Sequence, residues 1–105
     1  MTREQKTQWV AALQSGEYQQ GHSALESSGR YCCLGVLCLV LGTTPESLYA
    51  TSHNRAQLYM KLRRLARLPM KQIIRYMTMN DQERRTFPAI AAWIETHQSC
   101  DKSGS

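Results

Sequence analysis

Four cysteines and three histidines are the side chains of this 105-residue chain that could form a structural zinc site. Cys32, Cys33 and Cys38 lie in one apolar run, whereas Cys100 lies in a polar tail. Structural zinc sites use two matched pairs of closely spaced ligands, and the Cys33 and Cys38 pair has no second pair to match it. The histidines stand singly, at His22, His53 and His97. We therefore expect no metal site and no cofactor.

The same cysteines are poor candidates for nucleophiles. A catalytic cysteine needs a partly exposed, electropositive setting that lowers its pKa. The neighbours of Cys33 and Cys38 are aliphatic, so the sequence favours thiols buried in a core. Asn80-Asp81, with Glu83 and His97, offers carboxylates for acid–base chemistry, but a carboxylate in a turn beside a helix start is usually a cap. We predict no catalytic residue and no enzyme activity.

A basic stretch in the second half of the chain is the most distinctive charged feature. Residues 1–50 carry three basic and four acidic side chains, a net charge of −1, whereas residues 51–105 carry ten and four, a net charge of +6. Trp93 on the last predicted helix could anchor a partner, because tryptophan is enriched in interface hot spots. The alternative, which the sequence favours, is that Trp93 packs at the flank of its helix against the first helix. The predicted partner-binding set is Arg63, Arg64, Arg67, Lys71, Arg75 and Trp93.

Three interpretations of this basic stretch remain open. Charged side chains on a helix surface can simply keep a domain soluble. They can also attract an acidic protein surface. Alternatively, guanidinium groups can contact nucleic-acid phosphates, with affinity that depends on salt and not on sequence.

The apolar run Tyr31 to Gly42 must form the central element that positions these side chains. Apolar residues fill every side of it, which is typical of a buried helix. A buried strand is the alternative, since periodicity cannot separate the two. We favour a helix that ends at Gly42, with Gly35 marking a close approach of a neighbouring backbone.

Amphipathic elements are predicted on both sides of this run. Thr2-Arg3-Glu4-Gln5 has the pattern of a capping box and opens a helix over about 3–15. Ser28-Gly29 predicts the tight turn of a β-hairpin. Helices are predicted over 55–68, from Pro69 to the Asn80 turn, and from Thr86. Their apolar stripes are Leu58, Leu62, Leu65 and Ala66; Met70, Ile73, Ile74 and Met77; and Phe87, Ile90, Ala91 and Ile94.

Together these patterns predict a helix-dominated α+β domain with about five helices and one short β-hairpin. It should span residues 1–98, followed by a polar C-terminal tail over 99–105. The sequence contains no run of about 18 apolar residues, so we expect no membrane span. The charged N-terminus lacks the pattern of a signal peptide. We expect a cytoplasmic protein.

Several of these residues together resemble small uncharacterised proteins of tailed bacteriophages and prophages. The Leu68-Pro69 step and the Met79-Asn80-Asp81 turn of this chain are similar to segments of those phage proteins. The basic helix 55–75 differs, because it replaces an acidic segment common in that family. The other shared positions are Trp9, Ala12-Leu13, Ser15-Gly16, Tyr18, Gln20, Leu25, the Tyr31-Cys32-Cys33-Leu34-Gly35-Val36-Leu37-Cys38 core, and the helix from Thr86 to Ile94.

The resemblance implies a phage accessory protein in the cytoplasm of a bacterial host. Small phage proteins without a catalytic signature are often antagonists of host defence, anti-CRISPR proteins among them. The resemblance therefore implies a non-enzymatic protein that binds and inhibits a host protein or ribonucleoprotein, such as a CRISPR–Cas effector. The alternative, from the residues alone, is a small basic nucleic-acid-binding module. Neither hypothesis involves a membrane.

Overall fold

Helices dominate the secondary structure of this chain in a computed structural model, which describes residues 1–101. The helix-dominated α+β class is therefore confirmed. A sheet of three very short strands accompanies the helices. In chain order the elements are α1 (Arg3–Gln14), β1 (Gln19–Gln20), β2 (Glu26–Ser27), β3 (Arg30–Tyr31), α2 (Cys33–Val40), α3 (Pro45–Ala50), α4 (Arg55–Ala66), α5 (Met70–Asp81) and α6 (Phe87–His97).

Helix α2 is the centre of the fold, and it settles the choice between helix and strand for the apolar run. Its residues from Cys33 to Cys38 are all buried. Helices α1, α3 and α5 and strand β3 pack against it. The chain leaves α2 at Gly42, whose φ of 83° is a conformation that glycine adopts without strain.

The predicted hairpin is confirmed and lies directly against α2. Ser28 and Gly29 both have positive φ, as a type I′ turn requires. A Cβ added at Gly35 would overlap the carbonyl oxygen of Leu25 and lie 2.8 Å from its carbon, so the hairpin approaches α2 as closely as a glycine allows. Strand β1 pairs in parallel with β3 and was not predicted.

Helix α1 forms as its sequence predicts. The side chain of Thr2 accepts a hydrogen bond from the backbone N–H of Gln5, and the side chain of Gln5 accepts one from the N–H of Thr2, both at 3.0 Å. The buried Trp9 donates its indole N–H to the carbonyl of Cys33 at 2.9 Å. This bond fixes α1 across the start of α2.

The predicted apolar stripe of α5 is wrong at Ile74, which is 51% exposed. Ile73 is buried, and Met70 and Met77 are partly buried and pack against the core. The buried side of α5 instead carries Ile73, Tyr76, Met79 and Asn80. The Tyr76 ring explains the rotation, because it packs edge-on against Trp9 and against Trp93, with centroids 4.9 and 5.5 Å away.

Two further predictions are corrected. Leu65 was expected in the buried stripe of α4 but is 46% exposed, because the buried side of this helix is rotated toward Tyr59 and Ala66. Asn80 and Asp81 form the last turn of α5 and not a separate turn.

The first residues of the predicted tail return to the body of the protein. The backbone N–H of Asp101 donates to the carbonyl of Met1 at 2.8 Å. The rest of the predicted tail, residues 102–105, lies outside the described residues. Within 1–101, no helix has the length and apolar character needed to cross a membrane.

Candidate partner-binding surface

The predicted basic residues lie mainly on two consecutive helices, α4 and α5. The side chain of Asn54 caps α4 by accepting from the N–H of Gln57 at 2.8 Å. A short link through Arg67 and Pro69 joins the helices. Arg55 at the start of α4 lines a hollow with Asp81 at the end of α5, so the two helices run antiparallel.

Three basic side chains form what we call the basic face: Arg63, Arg64 and Lys71. Arg64 and Lys71 are exposed, and Arg63 is partly buried. None of the three makes an ion pair with a carboxylate among residues 1–101. By the helical period, Arg64 and Lys71 point away from the buried sides of their helices.

Exposed apolar side chains accompany the basic face on the same two helices. They are Met60, Leu65 and Ile74, which are 37%, 46% and 51% exposed. The outer surface of α4 and α5 therefore combines positive charge with apolar area, a mixture found at protein–protein interfaces.

Arg67 is not part of the basic face, because it ends α4 and lies near a carboxylate. Its φ of 58° places it in the left-handed conformation that ends α4. Its Nε lies 3.5 Å from the carboxylate of Asp101. Part of its charge is thus balanced within the chain.

Arg75 and Trp93 form a second cluster, between α5 and α6. The Arg75 guanidinium donates to the Glu83 carboxylate at 2.7 Å and lies 5.8 Å from the centroid of the Trp93 ring. Hydrogen bonds from Arg75 and then from Arg85 lower the pKa of Glu83 below its ordinary value. The Trp93 ring also stacks on His97, with centroids 4.4 Å apart. Of the six predicted residues, Arg67 and Arg75 thus have a carboxylate partner within residues 1–101, whereas Arg63, Arg64 and Lys71 have none there.

The thiols of the central helix are enclosed, as predicted. Cys32, Cys33 and Cys38 are buried, and Cys100 is partly exposed. Burial raises the pKa of Cys32 and of Cys38 to about 12, and it raises the pKa of Cys33 well above its ordinary value. Within residues 1–101, no group of three histidine, cysteine or acidic side chains is arranged to hold a metal ion.

A family model described as a domain of unknown function, DUF8296, matches residues 1–63. This chain belongs to the DUF8296 family. The matched segment runs from α1 through the sheet, α2 and α3 into α4. Of the basic face of this DUF8296 chain, only Arg63 falls within that segment. Comparisons with curated proteins and with solved structures find no significant match.

The structure also shows features that the sequence interpretation missed. In the DUF8296 segment, a cavity of about 330 Å³ lies between the end of α3 and the start of α4, beside Tyr49 and Arg55. Asn80, after that segment, is a buried hydrogen-bonding centre. In the sequence, Arg55 directly after the helix-capping Asn54 was a possible signal for the cavity. Nothing local distinguishes Asn80 from an ordinary turn residue.

Proposed function

We propose that this protein is a non-enzymatic phage accessory protein that binds and inhibits a host defence complex, such as a CRISPR–Cas effector. The observation that carries the binding part is the basic face, whose Arg63, Arg64 and Lys71 have no carboxylate partner within residues 1–101. An acidic partner surface would supply the missing counter-charges. The phage setting rests on the resemblance of the Cys-Cys-Leu-Gly-Val-Leu-Cys core.

The apolar side chains beside the basic face favour a protein partner. Contacts to phosphate need only hydrogen-bond donors and positive charge. Protein interfaces bury an apolar centre within a polar rim. Met60, Leu65 and Ile74 are exposed on the same two helices as the three cations, so these helices offer apolar contacts as well as charge. We therefore favour an acidic protein surface that also presents apolar side chains.

The test compares two charge-reversal variants. Arg64→Glu with Lys71→Glu reverses the two exposed charges of the basic face, whereas Arg3→Glu with Arg84→Glu makes the same change in charge at other exposed residues. Affinity capture from a nuclease-treated host lysate should recover an identified defence component with the wild type and the control, but not with the first variant. Plaque assays should show the same order of protection. Equal capture and equal protection by both variants would contradict the proposal.

The second candidate function is a small nucleic-acid-binding module. It is favoured by the exposure of Arg64 and Lys71 without a carboxylate partner in residues 1–101. Binding would then weaken steeply with salt, and each lost cation would reduce the slope of log K against log salt by about 1. An oligonucleotide affinity that is flat between low and physiological salt rules this candidate out.

A further inference from the structure

The cavity between α3 and α4, which we call the α3–α4 pocket, has the size of a small-molecule site. Its volume is about 330 Å³, within the range of ligand pockets. Ala24, Leu58 and the rings of two tyrosines supply its apolar lining, and Ser52, His53 and Arg55 supply polar groups. No carboxylate is among its lining residues.

The charge in this pocket comes from Arg55, whose guanidinium contacts Ser23 and Tyr59. It donates to the carbonyl of Ser23 at a long 3.4 Å and lies 5.7 Å from the centroid of the Tyr59 ring, and hydrogen bonding to Tyr59 raises the pKa of Arg55 above its ordinary value. Asp81 lines a separate hollow of about 220 Å³, which shares Ser23 and Arg55 with the pocket. The arginine thus stands between the two hollows, and it retains N–H donors for a ligand.

The start of α4 adds further donors. The side chain and carbonyl of Asn54 satisfy the backbone N–H groups of Gln57 and Leu58. The N–H groups of Arg55 and Ala56 have no acceptor in residues 1–101. Such unpaired donors, together with the helix dipole, favour an anion.

An enclosed hydroxyl also lacks a partner at this place. The side-chain oxygen of Ser52 is buried, and it makes no hydrogen bond within the described part of the chain. Buried polar groups are nearly always hydrogen-bonded.

The rim of the pocket offers a fixed aromatic surface. The hydroxyl of Tyr49 accepts a hydrogen bond from the backbone N–H of Leu25 at 2.9 Å, which holds the ring in place. The Tyr49 side chain is nevertheless 41% exposed. A flat ring of a ligand can pack against it at little entropic cost to the protein.

We propose that the α3–α4 pocket binds a small anion that carries a flat ring, of the size of a nucleoside monophosphate. The phosphate lies between the Arg55 guanidinium and the first N–H groups of α4, and the ring packs against Tyr49. This site is distinct from the basic face. Arg55 and Arg64 are nine positions apart on α4, or two and a half turns, so their side chains leave opposite sides of the helix.

The test is a titration of the full chain with AMP, GMP, CMP and UMP, followed by amide chemical shifts in NMR spectra. For at least one of these nucleotides we expect shifts confined to residues 23–25 and 49–59, and a Kd on the order of 10 to 100 µM, from the usual efficiency of ligands of this size. The matching nucleoside and inorganic phosphate should each bind at least about tenfold more weakly, because each lacks one half of the interaction.

Three variants test the role of Arg55. Arg55→Gln should weaken binding at least about tenfold, since a charge-assisted hydrogen bond is lost. Arg55→Lys should weaken it less, because it keeps the charge, and Arg64→Gln should leave it unchanged. Absence of these shifts at about 5 mM nucleotide overturns the proposal. Wild-type affinity in Arg55→Gln, or equal affinity for inorganic phosphate and nucleotide, overturns it as well.

Discussion

The side-chain oxygen of Asn80 accepts a hydrogen bond from the backbone N–H of Cys33 at 3.1 Å, and so caps helix α2 from within α5. Cys32, the N-cap residue of α2, makes no such bond with its own side chain. The Asn80 oxygen also accepts from Gln20 at 2.9 Å, and its amide donates to the carbonyl of Gly21 at 2.9 Å. One buried amide thus joins α2, α5 and the strand β1 region.

Asn80→Ala should lower the free energy of unfolding by about 3 kcal/mol, because it leaves the buried N–H of Cys33 and the partly buried carbonyl of Gly21 without this partner. Urea denaturation followed by circular dichroism measures the change. Asn54→Ala is the control, since it removes only an exposed helix cap and should cost about 1 kcal/mol. Equal losses in the two variants would show that Asn80 does not have this role.

Gly35→Ala should be similarly destabilising, for a steric reason. The new Cβ would overlap the backbone of Leu25, and a backbone carbonyl cannot swing aside as the tip of a side chain can. We expect a loss of about 3 kcal/mol in the same urea experiment. Gly16→Ala, at a positive φ in open space, should cost only about 1 kcal/mol. If Gly35→Ala is the milder change, the hairpin is free to move away from α2.

Structural features that depend on a few neighbouring residues could be predicted from the sequence. The capping box at Thr2, the turn at Ser28-Gly29 and the helix that ends at Gly42 all depend on local chemistry. The burial of the cysteines was also predictable, because their neighbours leave no polar face. Gly35 was expected to mark a close approach, although the partner, Leu25, could not be named.

Features that depend on distant residues could not be predicted. The buried side of α5 is set by the Tyr76 ring, which needs Trp9 and Trp93 beside it. Asn80 has the same sequence context in a turn and in a helix end, and its role depends on Cys33. The division of the basic residues likewise depends on tertiary ion pairs, such as that of Arg75 with Glu83.

The native protein should expose a single reactive thiol. At pH 8 we expect a thiol reagent to modify only Cys100 quickly, because burial and the raised pKa keep the other three cysteines protonated and covered. In urea all four should react. Cys100→Ser is the control, and rapid labelling of that variant in native conditions would contradict the burial of α2.

The stability of the folded protein should fall in alkaline solution, because α2 buries the thiol of Cys38. Burial raises the pKa of Cys38 from its ordinary value of 9.0 to about 12. Between these values the unfolded chain releases a proton that the folded chain retains, so rising pH favours unfolding. The urea midpoint should therefore decrease from pH 9 upward, and Cys38→Ala should show a shallower decrease. Identical slopes for the two proteins would exclude Cys38 as a source.

The pKa of Glu83 provides a test of the cluster between α5 and α6. Arg75 and Arg85 each donate to this carboxylate at 2.7 Å, and the bond from Arg75 is the larger cause of its lowered pKa. Arg75→Ala should therefore raise the pKa of Glu83 more than Arg85→Ala does, as measured by NMR titration of the carboxyl carbon. Because the folded-state pKa is lowered, the stabilising effect of this group is present above its ordinary pKa and is lost as pH falls. The opposite order of the two variants would show that Arg85, and not Arg75, is the main cause of the lowered pKa.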